Sequence, residues 1–407
     1  MTSSSRKPRL AIVSPFLDKS HGTERLIIEW LSQLPNAFEF HVYSNRVEDW
    51  DPSTFVFHRV PRLPGPHLFS FLWWFVANHL WRGWDRRFRG LRYDLVFSPG
   101  INCLDADVIS VHIVFAEFLR QTRAQLNLAR NPFRFWPRLL HRRIYYRLIV
   151  ALERHLYAKP QTMLVLIAKK TARDLERFYN RSDQLPILYV GLDHSIYNPI
   201  RRAELRAVAR QEIGIEEGRF TLLVVGNDLY KKGISVLFDA LGLLSDLPMT
   251  LLVAGNEASA PFQSLAREKK VLDRVRFLPL RADVEFYYAA ADIYTGPSLE
   301  DTFALPPEEA MACGLPTIVS STNGTSEIIT DGVDGLVLAD PTDSGTLAFM
   351  IRRLHNDQDF RRSMGHAATA TASHYTFERN GRDLGKIFDR ALGRKAGAPA
   401  RTITEEL

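Results

Sequence analysis

The chain has 407 residues, of which 46% are hydrophobic, so it can bury a large core and its length predicts two domains. Its two cysteines, Cys103 and Cys313, are too few to predict a disulfide framework or a thiolate metal site. Residues 52–160 hold 17 Lys and Arg against 6 Asp and Glu, which is 17 − 6 = +11, whereas the whole chain carries +6. Basic character is therefore concentrated in one block, which also contains five of the seven tryptophans.

The first residues, MTSSSRKPRLAIVSPF, contain no apolar run of signal-peptide length, which predicts a cytoplasmic protein. The longest apolar stretch, LFSFLWWFVANHLW, has 14 residues at positions 68–81. A membrane-spanning helix needs about 18 to 20, so this stretch is not expected to cross a bilayer.

Short apolar runs rich in β-branched residues alternate with amphipathic stretches along the chain. The runs that predict buried strands are RLAIVSP, FEFHVYS, YDLVFSP, VISVHIV, MLVLIA, TLLVVGN, MTLLVAGN, VRFLPL, DIYTGPS, PTIVSS and GLVLAD. Between them, stretches such as RLIIEWLSQL and ISVLFDALGLL predict helices. The alternation predicts parallel sheets with crossover helices, and the number of runs predicts two such sheets.

The polar stretch NRSDQLP, residues 180–186, predicts the seam between the two sheets. We expect an N-terminal domain at 1–185 and a C-terminal domain at 186–375, with a helix at about 376–395 packing back on the first. Ligands of open parallel sheets bind beyond the carboxyl ends of the strands, so two facing sheets would form a cleft there.

Residues 300–316, EDTFALPPEEAMACGLP, predict a short helix from about Pro306 to Gly314, because proline suits a first turn and glycine follows a helix end. Prolines carry no N–H group, so the backbone donors at this helix start come mainly from the residues before it. These residues are Phe303, Ala304 and Leu305. Such a helix start predicts an anion site.

Two glycine turns follow apolar runs. After TLLVVGN comes DLYKKG, in which Gly226 lets the backbone approach a phosphate and Lys232 supplies charge. In the first half, SPFLDKSHGTER places Gly22 before a helix. Neither turn has the GxxxxGK[ST] or GxGxxG pattern, so each alone is also consistent with an ordinary strand-to-helix turn.

Taken together, the motifs resemble those of the retaining nucleotide-sugar glycosyltransferases of the GT-B fold, family 4. GPSLEDTFALPPEEAMACGLPTIVSS matches that family's phrase PSxxEGFGLPxLEAMACGxPV nearly end to end. Other matching segments are HGTER, ILYVGLDHSIYNP, VGNDLYKKG, LLVAGN, RVRFLPL, YYAAADIYTGPS and DGVDGLVL. The turn VGNDLYKKG is similar to that of bacterial lipopolysaccharide-core glucosyltransferases. The resemblance implies an α/β fold with two Rossmann-like, doubly wound domains facing a central cleft.

The family pattern, an acid followed after seven residues by a glutamate, aligns with Asp301 and Glu309, and the pair Glu300 and Glu308 is the shifted alternative. The resemblance implies that Glu309 binds the ribose diol of the donor, for which a carboxylate has two acceptor oxygens. It implies that Asp301 holds hydroxyls of the transferred sugar. A pair of acids at a helix start could also simply offset the helix dipole.

By the same resemblance, the amides of residues 303–305 and the helix dipole meet the donor diphosphate, with Lys232, Gly226 and the Gly22 loop around it. These groups would stabilise the leaving phosphate without a metal and without a cofactor. Asn227 stands where many relatives have an arginine facing the diphosphate, which leaves more of the charge to Lys232.

His112, in DVISVHIVF, stands where relatives keep a histidine beside the donor sugar, and its implied role is hydrogen bonding rather than general base catalysis. A lone histidine after a strand is otherwise more often structural.

The function implied is transfer of a hexose-type sugar from a nucleoside diphosphate sugar to a saccharide or lipid-linked acceptor of the cell envelope. A GT-B phosphorylase is a second reading, and it would need a lysine that binds pyridoxal phosphate. A third is a basic nucleic-acid or membrane-binding protein without transferase activity. The basic block contains no recognised nucleic-acid module, so no nucleic-acid partner is expected.

Two segments mix aromatic residues with arginine: LFSFLWWFVANHLWRGWDRRFRGLR at 68–92 and NPFRFWPRLLHRRIYYR at 131–147. Tryptophans beside arginines are typical of segments that lie at an anionic membrane surface. We therefore expect a peripheral protein at the cytoplasmic face of the membrane. The alternative is that Phe69, Leu72 and Phe75 belong to the core.

Overall fold

The computed structural model describes residues 6–19, 21–34, 36–123, 126–130, 132–183, 185–256 and 258–396. The chain forms two compact units, one made of Met1–Tyr189 with Phe377–Leu407 and the other of Val190–Thr376. Gln184 in the predicted seam and Asn131 at the start of the second aromatic segment lie outside the described residues.

All the strands expected from the sequence are present, and the structure adds three more. The strands are β1 Arg9–Val13, β2 Phe16–Leu17, β3 Glu39–Ser44, β4 Arg46–Val47, β5 Phe55–Arg59, β6 Leu95–Pro99, β7 Val108–Val111, β8 Met163–Leu166, β9 Phe220–Val225, β10 Met249–Ala254, β11 Val275–Leu278, β12 Ile293–Gly296, β13 Thr317–Ser320 and β14 Leu336–Leu338. The additions are the short pair β2 and β4 and the edge strand β5.

Helices connect the strands in both units. They are α1 Gly22–Ser32, α2 His67–Phe88, α3 Phe115–Thr122, α4 Trp136–Tyr157, α5 Lys169–Tyr179, α6 Pro199–Ile213, α7 Ile234–Leu243, α8 Ala260–Glu268, α9 Glu285–Ala290, α10 Leu305–Ala312, α11 Ser344–Asn356, α12 Gln358–Ala372 and α13 Phe377–Lys395.

Each unit contains one six-stranded sheet, and the two sheets have the same topology. The orders are β5-β3-β1-β6-β7-β8 in the first unit and β11-β10-β9-β12-β13-β14 in the second. Every pairing within them is parallel. If the strands of each sheet are renumbered from 1 to 6 in chain order, both sheets have the strand order 3-2-1-4-5-6. This is the doubly wound arrangement, in which the chain reverses direction across the sheet beside the first strand.

The central strands are mostly apolar because helices cover both faces of each sheet. Every residue of β9 and of β10 is buried. The edge strand β5 differs, since Val56 and Phe57 are exposed, and so its residues FVFHR do not form the continuous apolar run that identified the other strands.

Helix α13 belongs to the first unit and packs on α1 at a glycine. A Cβ atom placed on Gly381 would lie 2.2 Å from Cβ of Gln33 and 3.2 Å from the carbonyl oxygen of Trp30. Beside it, the indole N–H of Trp30 donates to Oδ1 of Asn380 at 3.0 Å, and both side chains are buried. The two helices therefore approach closely only because residue 381 has no side chain.

We expect Gly381→Ala to lower the stability of the first unit by about 1 to 3 kcal/mol, because the new methyl group overlaps atoms that cannot move independently of the backbone. Gly83→Ala is the matched control. Gly83 lies within α2 with nothing within 4 Å of an added Cβ. Alanine there should therefore stabilise by up to about 1 kcal/mol through helix propensity. Thermal unfolding of both variants checks this, and a Gly381→Ala protein at least as stable as the unsubstituted one would contradict the close packing.

Candidate functional site

The segment before α10 meets the turn after β9 through an ion pair. Nζ of Lys232 lies 2.6 Å from Oδ2 of Asp301, and the two side chains are only 14% and 22% exposed. A backbone hydrogen bond joins the same two segments, since the Leu299 N–H donates to the Lys231 carbonyl oxygen at 2.7 Å. Two of the residues that the sequence predicted for the donor site are thus in direct contact.

Glycine is required at two positions of the turn that carries Lys232. Gly226 has φ +151°, and a Cβ there would lie 2.7 Å from Cε of Lys232. Gly233 has φ +76°, and a Cβ there would lie 2.0 Å from the carbonyl oxygen of Pro297. The lysine side chain therefore runs across the face of Gly226, and the turn lies directly against the backbone that follows β12.

Helix α10 begins at Leu305, one residue before the predicted start, with prolines in its first turn. The amide group of Ala304 already has an acceptor within the protein, because it donates to Oδ1 of Asn323 at 3.3 Å. The hydroxyl of Thr325 in turn donates to the Ala304 carbonyl oxygen at 2.7 Å. Of the three amides predicted to meet an anion, the one at Ala304 is thus engaged in holding the helix start.

Glu309 is 4% exposed, and its Oε2 accepts a hydrogen bond of 2.6 Å from the hydroxyl of Tyr288. Burial, together with the neighbouring Glu309 carboxylate, raises the pKa of Tyr288 well above its ordinary value. The tyrosine therefore keeps its proton and acts as a permanent donor that fixes the orientation of this carboxyl group.

Glu308 differs from its neighbour. It is fully buried, and neither carboxyl oxygen has a hydrogen-bond partner among the described residues. Burial, and secondarily the charge of Glu309, raises the pKa of Glu308 well above its ordinary value, which favours the neutral acid. Glu308 is thus enclosed by the protein, whereas Asp301 pairs with Lys232 and Glu309 accepts a hydrogen bond from Tyr288.

Asn227 connects the ends of two strands. Its Oδ1 accepts a hydrogen bond of 3.0 Å from the amide of Asn256, which follows β10. Close backbone contact accompanies this bond, since a Cβ on Gly255 would lie 2.3 Å from the carbonyl oxygen of Gly226. The asparagine that replaces the family's arginine therefore positions the turn after β10.

A pocket of about 510 Å³ in the first unit and another of about 380 Å³ in the second were not anticipated from the sequence. The second lies at the carboxyl ends of β10 and β11. Its lining residues are Leu229, Val253, Gly255, Asn256, Ser259, Phe277, Leu278 and Pro279. The signal available in the sequence was the Gly-Asn pair ending MTLLVAGN and the proline within VRFLPL, both at strand ends.

In the first unit, His112 follows β7 and its Nε2 lies 3.1 Å from Oγ of Ser110. The ring stacks on Trp30 with 6.3 Å between centroids. Burial lowers the pKa of His112 to about 4, so the imidazole is neutral near pH 7. A neutral imidazole can donate one hydrogen bond and accept another.

Gly22 is the first residue of α1, in the same unit. It is exposed, and an added Cβ would meet nothing within 4 Å. Packing therefore does not require glycine at this position. The preceding loop is held by buried Asp18, whose Oδ2 lies 2.9 Å from Nη2 of Arg46 and whose Oδ1 lies 2.7 Å from Nδ1 of His21.

Residues 206–371 match the family model described as glycosyl transferases group 1. The chain is 28% identical over 246 residues to D-inositol 3-phosphate glycosyltransferase of Salinispora arenicola (strain CNS-205), covering 56% of this chain and 55% of that one. It is 29% identical over 215 residues to lipopolysaccharide glucosyltransferase WaaG of Escherichia coli (strain K12), covering 51% and 57%. The chain thus spans about half the length of the curated relatives it matches.

Solved structures match over nearly the whole chain. WaaG, described as a glycosyltransferase involved in lipopolysaccharide biosynthesis, aligns with TM-score 0.73 and 22% identity, covering 93% of this chain and 99% of that one. Anabaena Alr3699/HepE in complex with UDP-glucose aligns with TM-score 0.68 and 18% identity, covering 93% and 99%. At these identities the likeness shows the fold, and the GT-B fold expected from the sequence is confirmed.

We expect Glu308→Leu to stabilise the protein by about 1 to 3 kcal/mol, because it removes a buried polar group that lacks a partner. The gain should be larger at pH 8 than at pH 5. Since the folded state keeps the Glu308 proton above the pH at which the unfolded chain releases it, the stability of the unsubstituted protein falls as pH rises from about 4.5 toward the raised pKa. Melting temperatures at the two pH values measure this.

Glu268→Leu, at an exposed position of α8, is the control for the Glu308 substitution. It should change the melting temperature little and by the same amount at both pH values. A Glu308→Leu gain that is equal at pH 5 and pH 8, or larger at pH 5, would show that Glu308 is ionised in the folded protein.

Proposed function

We propose that this chain, whose residues 206–371 match the group 1 glycosyl transferase family model, is a family 4 glycosyltransferase of the GT-B fold and transfers a hexose-type sugar from a nucleoside diphosphate sugar to a saccharide or lipid-linked acceptor. The observation that carries the proposal is the contact of Lys232 with Asp301 beside the start of α10. A cation, a carboxylate and a helix N-terminus meet at the carboxyl edge of the sheet, where open parallel sheets bind ligands.

The diphosphate of the donor is proposed to lie between Lys232 and the start of α10. The lysine brings a full positive charge and the helix a partial one, so both stabilise the negative charge that develops on the leaving phosphate. Asp301, 2.6 Å from the lysine, is then placed to accept hydrogen bonds from hydroxyls of the transferred sugar. This arrangement performs the charge stabilisation with groups of the chain and without a metal.

Glu309 is proposed to bind the ribose. A carboxylate can accept from both hydroxyls of a diol, and the hydrogen bond from Tyr288 fixes its orientation before the ligand arrives. The pocket at the ends of β10 and β11 is proposed to take the base. Its volume of about 380 Å³ lies within the range of small-ligand sites, and it combines apolar side chains with Asn256 and Ser259.

Asn227 is proposed to shape the base pocket rather than to bind phosphate. Its side-chain oxygen is committed to the amide of Asn256, which lines that pocket. In the first unit, neutral His112 is proposed to hydrogen bond to the donor sugar, and the Gly22 loop to approach the diphosphate. Retention follows if the acceptor oxygen bonds to the anomeric carbon on the face from which the phosphate departs, while the leaving phosphate takes the proton of the acceptor hydroxyl.

The place of action is proposed to be the cytoplasmic surface of an anionic membrane, in cell-envelope glycan synthesis. No helix among the described residues is both long and apolar enough to cross a bilayer. On α4, exposed Leu140 and Ile144 lie among exposed arginines, including Arg138 and Arg147. Each such cation near an anionic surface contributes on the order of 1 kcal/mol to binding.

The alternative that Phe69 and Leu72 of α2 are core residues is not supported, since their side chains are 59% and 41% exposed. Phe75 is partly buried and packs against the core of the first unit.

We expect Lys232→Ala and Glu309→Gln each to weaken binding of the donor's nucleoside diphosphate by about 1.5 to 3 kcal/mol, because each removes a charged hydrogen-bonding group. Lys231→Ala is the matched control, since this neighbouring lysine lies 3.8 Å from Asp228 instead of pairing with Asp301. Calorimetric titration in the presence of a chelator provides the measurement. Equal losses for the two lysine variants, or binding that requires added magnesium or manganese, would contradict the site.

We expect the protein to co-sediment with anionic vesicles at low salt, and the double change Arg138→Glu and Arg147→Glu to reduce the bound fraction strongly. The control is Arg267→Glu, an exposed arginine of α8 in the second unit. Absence of vesicle binding, or equal loss in the α8 control, would leave a soluble acceptor as the better account.

A further inference from the structure

The pocket of about 510 Å³ in the first unit lies between the edge strand β5 and the second half of α2. Its lining residues are Phe57, His58, Arg59, Leu80, Trp81, Trp84, Asp85 and Arg89. It borders β5, four strands away from β7 and His112 in the sheet order. At about 4.8 Å per strand this is a separation of roughly 19 Å, so the pocket is distinct from the region proposed to approach the donor sugar.

The floor of this pocket is a buried hydrogen-bonded network. Oδ2 of Asp85 accepts from the hydroxyl of Tyr43 at 2.5 Å and lies 2.9 Å from Nδ1 of His58. Nε2 of His58 lies 2.9 Å from Nδ1 of His41. The hydroxyl of Tyr93 lies 2.6 Å from that of Tyr43. These contacts fix the carboxyl group of Asp85, and a floor held in this way is arranged before a ligand binds.

The mouth of the pocket is cationic. The guanidinium of Arg89 lies 3.2 Å from Oδ1 of Asp85, so the only carboxylate of the lining has contacts at both oxygens. Arg59 is exposed, and among the described residues its guanidinium group has no ion pair, hydrogen bond or ring contact. Burial lowers the pKa of His58, so this ring adds no charge near pH 7. The lining therefore carries one net positive charge, with an unpaired guanidinium available for an anion.

An apolar stripe leads out of the same pocket along α2. Val76, Leu80, Trp84 and Phe88 recur every four residues and are 52%, 59%, 59% and 63% exposed. Residues four apart are neighbours on a helix surface, so these side chains form a continuous row that is inclined to the helix axis. With Leu72 the row runs from residue 72 to residue 88, which is 16 steps of about 1.5 Å, or roughly 24 Å of helix. Leu80 and Trp84 belong both to the row and to the pocket.

We propose that this pocket binds the phosphate headgroup of a single anionic lipid, with Arg59 and Arg89 on the phosphate and the lipid chain lying along the exposed face of α2. Arginine matches phosphate because its planar fork donates two parallel hydrogen bonds. The tryptophans supply the ring surfaces that suit the boundary between headgroup and chain. This lipid site depends on the proposed function in one respect, because its lipid comes from the membrane at which the protein is proposed to act.

A short-chain phosphatidic acid, used below its micellar concentration, tests the site by calorimetry on the full chain. We expect binding of one lipid per chain. Two further ligands separate the contributions of the phosphate headgroup and of the acyl chains. Glycerol 3-phosphate carries the headgroup without chains. The phosphatidylcholine with the same chains carries a zwitterionic headgroup. Both should bind much more weakly. Equal binding of glycerol 3-phosphate would indicate a site for free phosphate, and equal binding of phosphatidylcholine would indicate a purely apolar surface. Either result overturns the proposal.

Arg59→Gln should weaken phosphatidic acid binding by about tenfold or more, the usual effect of losing a charged hydrogen bond. Arg86→Gln is the matched control, because Arg86 is exposed on α2 beside Asp85 but does not line the pocket. Equal losses in both variants would mean general attraction to a basic surface and would refute a defined site, as would a lack of saturable binding to the unsubstituted chain. Nucleoside diphosphate binding, measured on the same samples, should be unchanged by Arg59→Gln. If the unsubstituted protein did not bind a nucleoside diphosphate, that result would count against the proposed function and not against the lipid site.

Discussion

The ion pair of Lys232 with Asp301 is the contact on which the geometry of the second unit's candidate site depends. It joins two segments 69 residues apart in the chain, and the partly buried side chains are screened by water less than a surface pair would be. The backbone around it leaves little freedom, because Gly226 must lack a side chain for Lys232 to pass and Gly233 must lack one beside Pro297. The turn therefore fixes both the position of the Lys232 side chain and its pairing with the Asp301 carboxylate.

The electrostatics of this region follow from which carboxyl groups are ionised. Lys232 and Asp301 balance each other, and an arriving diphosphate would add negative charge that the lysine and the start of α10 must stabilise. A second ionised carboxyl group next to Glu309 in the sequence would oppose this stabilisation of the diphosphate. Burial raises the pKa of Glu308 and so favours its protonated form, which lowers the local negative charge below what the sequence EDTFALPPEE suggests. The Tyr288 hydroxyl in turn supports the one buried carboxylate assigned to the ligand.

The sequence predicted the strands whose apolar runs are buried on both faces, and it predicted α10 from its prolines and Gly314. It missed β5, because an edge strand with exposed Val56 and Phe57 carries no such run. The sequence predicted candidate site residues where a motif marks them, as at Lys232, Asp301 and Glu309. Its supports could not be predicted, since Tyr288 and Asn323 come from other segments and act through single contacts that leave no pattern.

The site around Lys232 and Asp301 in the second unit is proposed to bind a nucleoside diphosphate sugar. Saturation-transfer NMR with a panel of nucleotide sugars tests it most directly, because the transferred signal identifies which parts of the ligand touch the protein. We expect the protein to bind at least one nucleotide sugar of the panel, with strong saturation of the base and ribose protons. The free nucleoside diphosphate should compete with this binding. Saturation by none of the panel, or saturation of a sugar that the nucleoside diphosphate does not displace, would contradict it.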